Sequence, residues 1–198
     1  MTSKNELEGR KCLNVLWDYD GTLFNTYPAF TEVMYELMNK KVAKEAIYKE
    51  LKISFSHAVE FFGLDEEQVK QFKERERALS PKEKGPFPYV EEVLQKTNVN
   101  VIMTHKSRNE VMAILDYYDW HKYFSEIVAG DDGFPRKPDS ASYRYLHKRH
   151  HLDLAVGDRL LDIIPAKEIG LSTCLFQNEA KGADYYLQSY QDFFAVIK

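Results

Sequence analysis

Asp18 and Asp20 stand two residues apart, directly after the apolar run Leu13-Asn14-Val15-Leu16-Trp17. In an extended segment, residues i and i+2 point the same way. Two carboxylates that close repel each other, and a hard divalent cation such as magnesium would compensate them with oxygen ligands. A third carboxylate, Asp158, follows another apolar run and is positioned to complete a metal shell. Phosphoryl transfer needs a metal to neutralise charge, a cradle for phosphate oxygens, an attacking oxygen and a proton donor. A carboxylate can be the nucleophile, through an aspartyl-phosphate. Gly21 and Thr22 offer backbone amides for the cradle, Thr104 a hydroxyl and Lys137 a point charge. Each residue alone has a plainer reading. Asp-Gly is a common turn pair, a hydroxyl after a strand often caps a helix, and a lone lysine is usually a solvated surface group.

These groups must be held by rigid elements. Short apolar runs at 13–17, 99–103, 126–129, 154–156 and 173–176 read as buried strands. Helical spacing fills 89–96, 109–118, 140–150 and 161–169, and a closing helix is expected over 187–196. Strands alternating with helices predict a parallel, doubly wound α/β sheet with right-handed crossovers. Such sheets bind ligands beyond the carboxyl ends of their strands. The polar clusters fall there: Asp18 and Asp20, Thr104 and His105, Asp131 and Asp132, Gly157 and Asp158.

The stretch from Pro28 to Lys84 has a different texture. Phe30, Val33, Met34, Leu37 and Met38 recur at helical spacing, and three more helical stretches follow. Gly63 marks one helix end, Asp65 is a plausible N-cap for the next, and residues 80–88 form a breaker-rich joint. The expected organisation is an α/β core over 1–24 and 85–198, with an all-α insertion of four helices over 25–84.

The chain has 198 residues, enough for one full core. Hydrophobic residues make up 44% and charged residues 29%, as in ordinary globular proteins. A net charge of -4 lacks the basic excess of a nucleic-acid binder. Cys12 and Cys174 lie in apolar runs and form no disulfide framework, which points to a reducing, cytoplasmic compartment. Residues 1–6 are polar and unlike a signal peptide. No apolar run is long enough to span a membrane.

Asp18-Tyr19-Asp20-Gly21-Thr22-Leu23-Phe24 resembles the DxDGTLF signature of the haloacid dehalogenase (HAD) superfamily. Thr104 resembles that family's second motif. Arg136-Lys137-Pro138 resembles its third, and Gly157-Asp158-Arg159-Leu160-Leu161-Asp162 its fourth. The four occur in order and span nearly the whole chain, from about Leu13 to Phe176. The resemblance implies a Rossmann-like core and a magnesium-dependent phosphatase of subfamily I, with a helical C1 cap, of the phosphoglycolate phosphatase type. It implies Asp18 as nucleophile and metal ligand, and Asp20 as general acid and then base, with its backbone carbonyl on the metal. Asp158 anchors the metal and Asp162 supports the shell. Gly21, Thr22, Thr104, His105 and Lys137 make up the phosphate-binding side. The substrate is expected to be a small phosphorylated metabolite. A monomer is expected, because a cap covers the site without a partner chain.

A sugar-phosphate mutase keeps the same motifs and stays open as an alternative. A receiver-type phospho-acceptor module lacks both the cap and an acid two residues after the acceptor. A dehalogenase needs neither Asp20 nor magnesium. Asn25, Tyr27 and His57 are weak candidates for substrate contact. His105 reads as a loop residue near the site rather than a catalyst. His147 and His151 share a helix face, and their basic surroundings favour a helix C-terminus matched to its dipole over a metal site.

Overall fold

The computed structural model describes residues 13–198. The polar N-terminus and Cys12 lie outside the described residues. The first strand, β1 (Asn14–Trp17), is followed by four helices: α1 (Tyr27–Leu37), α2 (Lys44–Ile53), α3 (Phe55–Phe62) and α4 (Glu66–Ala78). Then come α5 (Val90–Lys96), β2 (Val99–Met103), α6 (Arg108–Tyr118), β3 (Glu126–Val128) and α7 (Ala141–His150). The chain closes with β4 (Leu154–Gly157), α8 (Leu160–Glu168), β5 (Ser172–Phe176), β6 (Tyr185–Leu187) and α9 (Phe193–Val196).

The six strands form one sheet in the order β3-β2-β1-β4-β5-β6, with every pairing parallel. β1 pairs with β2 on one edge and β4 on the other, and both of its faces are covered. Val15 and Trp17 pack into one core with Ile102, Val156 and the α6 residues Val111 and Leu115. Leu16 packs into the other with Val101, Ala155 and the α7 residues Tyr143 and Leu146. That alternation follows from the period of two along a strand. The chain leaves β1 towards β2 on one side and returns to β4 on the other, so the strand order reverses at β1. A crevice opens there, at the carboxyl end of β1.

Buried Asn100 ties the two central strands together. Its Oδ1 accepts from Trp17 Nε1 and from Thr97 Oγ1, both at 2.8 Å. Its Nδ2 donates to Leu94 O at 3.0 Å and Tyr123 O at 3.2 Å. A fully satisfied buried polar group of this kind specifies register as well as stability.

The four inserted helices have a core of their own, built on Phe30, Met34, Ile47, Leu51, Ala58 and Phe72. Their boundaries have local causes. Pro28 occupies the first turn of α1, where its missing N–H costs nothing. Ser54 accepts from His57 N to start α3, and Gly63 ends it in the left-handed region. Asp65 and Gln68 form a reciprocal capping box on α4. No helix among the described residues is long and apolar enough to cross a membrane.

One segment differs from the sequence reading. The expected closing helix over 187–196 is a strand, a 3-10 turn at Tyr190–Asp192 and the single helical turn α9. Leu187 pairs with Phe176, and its carbonyl accepts from Gln177 N at 2.8 Å. A three-residue strand is too short to show a period, so β6 left no pattern to read.

Candidate active site

Asp18 is the first residue beyond β1, and its amide donates to Val156 O at 2.9 Å, extending the ladder by one step. The chain then winds tightly. Leu23 N and Phe24 N both donate to Tyr19 O, and Gly21 N donates to Phe24 O at 2.8 Å. Gly21 has a φ of +75°, and a Cβ there would lie 2.6 Å from Asp158 Oδ2 and 2.2 Å from Tyr27 Cε2. Only glycine fits this turn. The Gly21 amide, expected to cradle phosphate, is therefore spent on closing its own loop. Thr22 Oγ1 donates to Asp18 Oδ2 at 3.4 Å, and Tyr190 OH holds Thr22 O at 2.9 Å.

Three carboxylates meet at the strand ends. Asp18, Asp158 and Asp162 are all buried and can each offer an oxygen within 4.8 Å of the others. Lys137 Nζ bridges two of them, donating to Asp18 Oδ1 at 2.6 Å and Asp162 Oδ1 at 2.8 Å. Arg159 adds a second cation, with Nε 3.6 Å from both Asp158 and Asp162. Burial, and after it the neighbouring Asp162, pushes the Asp18 carboxyl up to about 7. Burial likewise raises Asp158. For Asp162 burial acts upward, but Lys137 and Arg159 outweigh it, and its pKa falls below the ordinary carboxylate range. The hard-oxygen donor set, the burial and Asp158 Oδ1, which is buried without a hydrogen-bond partner, fit a divalent cation such as magnesium.

Asp20 is not one of the three. Its Oδ1 is buried without a partner, and its Oδ2 lies 4.0 Å from Lys106 Nζ. The carboxylate lines the same cavity as Asp18, beside Lys106 and outside the three-carboxylate group. Thr104 is buried at the end of β2, and its Oγ1 accepts from Lys106 N at 3.1 Å. Gly130 approaches the same loop so closely that a Cβ would lie 2.2 Å from His105 O. His105 Nε2 accepts from Lys137 N at 2.9 Å, and Arg136 lies 3.0 Å from Nδ1. Burial and the cations Lys137 and Arg136 lower the His105 pKa to about 3, so the ring stays neutral and can accept. The His105 ring is thus tied to the lysine loop, and the residue also lines the cavity.

Above these residues lies a cavity of about 850 Å³, walled on the far side by the inserted helices. Asp18, Asp20, Thr104 and Lys137 line its floor; Phe30, Phe55, Phe72, Lys73 and Arg77 line its roof. Tyr27 lies in the wall, while His57 pairs with Glu50 at 2.8 Å within the helical insertion. Two contacts across the cleft had no sequence signal. Lys106 forms an ion pair with Glu76 of α4, and Lys52 of α2 donates to Asp158 Oδ2 at 2.7 Å. Arg159 also went unassigned, although it sits inside the fourth motif. His147 and His151 do not enter the site; His147 lies within the last turn of α7 and His151 is its C-cap.

Residues 15–176 match the family model described as haloacid dehalogenase-like hydrolase. The chain is similar to the pyrophosphatase PpaX of Halalkalibacterium halodurans, 27% identical over 199 residues and covering 90% of each protein. It is 20% identical over 187 residues to a phosphoglycolate phosphatase of Psychrobacter arcticus, covering 80% of each. A solved hydrolase structure from Streptococcus pneumoniae superposes with a TM-score of 0.67 at 27% identity, covering 85% of this chain and 95% of that one.

Proposed function

The chain belongs to the haloacid dehalogenase-like hydrolase family, and from that premise we propose that it is a magnesium-dependent phosphatase of small phosphate monoesters. The reading rests foremost on one observation. A buried carboxylate, Asp18, lies at the sheet's crevice with one oxygen clamped by Lys137 and its side chain lining the floor of the cavity beneath the inserted helices.

Lys137 binds Asp18 Oδ1, which leaves Oδ2, held only by the long contact from Thr22, as the attacking oxygen. It forms a bond to phosphorus as the ester oxygen departs. Asp20, with an unpartnered buried oxygen, gives its proton to that leaving oxygen. The same carboxylate then takes a proton from water, which attacks the aspartyl-phosphate and frees inorganic phosphate and Asp18. Lys137 and the Thr104 hydroxyl stabilise the transferring group's negative oxygens. Asp18, Asp158 and Asp162, with the Asp20 backbone, would hold the magnesium ion, which supplies charge neutralisation for the phosphoryl oxygens. The inserted helices act as a cap, residues 25–84 over a core of 1–24 and 85–198. They exclude water from the site and close it within a single chain, which supports action as a monomer.

The test is release of inorganic phosphate from an aryl phosphate, phosphoglycolate, pyrophosphate and a panel of small phosphometabolites. Each is assayed with magnesium, with chelator and with Asp18→Asn. Magnesium-dependent release abolished by the substitution is expected. Phosphate returned to an isomer of the same substrate would identify a mutase instead, and release undiminished in Asp18→Asn would remove Asp18 from the mechanism.

A further inference from the structure

Lys52 lies in the last turn of α2, on the opposite side of the cleft from the three-carboxylate group. Its Nζ donates to Asp158 Oδ2 at 2.7 Å and lies 5.0 Å from the centre of the Tyr27 ring. The pair is nearly dry, with side chains 17% and 0% exposed. Tyr27 in turn presses on the tight turn at Gly21, where a Cβ would also meet Asp158. The ammonium is thus held on a built shelf of carboxylate and aromatic ring, and the ring face favours a cation.

We infer that Lys52 is a tethered cation competing with the divalent metal for Asp158, so that cap closure and metal binding oppose one another. This inference rests on the metal reading proposed above. A buried carboxylate without a counter-charge is costly, and Lys52 supplies that charge when no metal is present. A divalent ion on Asp158 Oδ1 shares that carboxylate with the ammonium on Oδ2, and the two like charges oppose one another in a water-poor site. Arg159 lies close on the other edge of Asp158, so the displaced charge has no room to shift sideways. Metal entry therefore frees Lys52, and with it the end of α2. Coupling is reciprocal: the factor by which the closed cap weakens the metal is the factor by which the metal weakens closure.

The test uses the full chain and two variants. Lys52→Met keeps the apolar stem and removes the charge; Lys52→Arg keeps a cation and serves as the fold control. Manganese affinity is measured by calorimetry, magnesium affinity by competition against it, and amide exchange in α2 by mass spectrometry. Lys52→Met should bind either ion about 5- to 150-fold more tightly, and Lys52→Arg should stay near wild type. Exchange in wild-type α2 should rise when metal is added; in Lys52→Met it should be fast with or without metal. Equal or weaker metal binding by Lys52→Met, or wild-type α2 exchange indifferent to metal, would overturn the inference while leaving the phosphatase reading intact. Failure of all forms to bind either ion would overturn this inference and the metal reading together.

Discussion

Replacing Asp18 with Asn should stabilise the metal-free protein, and more so as pH rises. Burial, with Asp162 beside it, holds the folded Asp18 carboxyl at about 7, against about 3.9 in an unfolded chain. Between those values the unfolded state has lost the proton and the folded state keeps it. Stability therefore falls as pH rises through the window, by about 1.4 kcal/mol per pH unit. Relative to a permanently neutral side chain, the penalty works out at about 1–2 kcal/mol at pH ~5 and about 4 kcal/mol at pH ~8. Asn has nearly the same shape, can still present an oxygen to Lys137, and carries no such penalty. Urea denaturation in chelator, at both pH values, should show Asp18→Asn ahead of wild type by a margin that widens by about 2–3 kcal/mol at the higher pH. A margin that stays constant, or an Asn variant less stable than wild type at the higher pH, would refute the raised pKa and its electrostatic cause. Magnesium should reverse the order, because it stabilises the ionised form that only wild type has.

Gly21→Ala forces a Cβ onto Tyr27 and Asp158 in a left-handed turn. A loss of about 2 kcal/mol or more in thermal or urea unfolding is expected, with turnover nearly abolished; unchanged turnover would mean that the loop relaxes without moving Asp18. Asn100→Ala leaves Trp17 Nε1 and the carbonyls of Leu94 and Tyr123 short of a partner. It should cost about 2–4 kcal/mol in urea denaturation, with little change in KM, since Asn100 does not line the cavity. Asp158→Asn should raise the magnesium concentration for half-maximal activity by at least tenfold, the equivalent of about 1.4 kcal/mol; an unchanged requirement would remove Asp158 as the anchor.

The parts of this protein that could be read from sequence are those whose cause is local. The DxDGT loop and the two ends of the fourth motif carry their meaning in contiguous residues, and the structure brings Asp18, Asp158, Asp162 and Lys137 into one cluster. The four cap helices announced themselves through apolar spacing and through Asp65 and Gly63 as end signals. What could not be read depends on folding at long range. Lys52 meets Asp158 across 106 residues, and nothing near either residue marks the partner. Lys106 reaches Glu76 only because α4 closes over the loop after β2. The Gly21 amide donates to Phe24 O, a turn closure that the residue types of the loop do not reveal. His105 was a loop residue in the sequence; the Lys137 amide that it accepts from lies 32 positions away.

The central claim is that Asp18 itself carries the phosphoryl group during turnover. An aryl phosphate, whose leaving oxygen departs without much help from an acid, should load the Asp20→Asn variant faster than water can unload it. Acid quenching followed by peptide mass spectrometry should then find one phosphoryl group on the peptide containing Asp18, and none in Asp18→Asn. Phosphate released at the wild-type rate with no phosphorylated intermediate in Asp20→Asn, or a phosphoryl group on any other residue, would contradict the account.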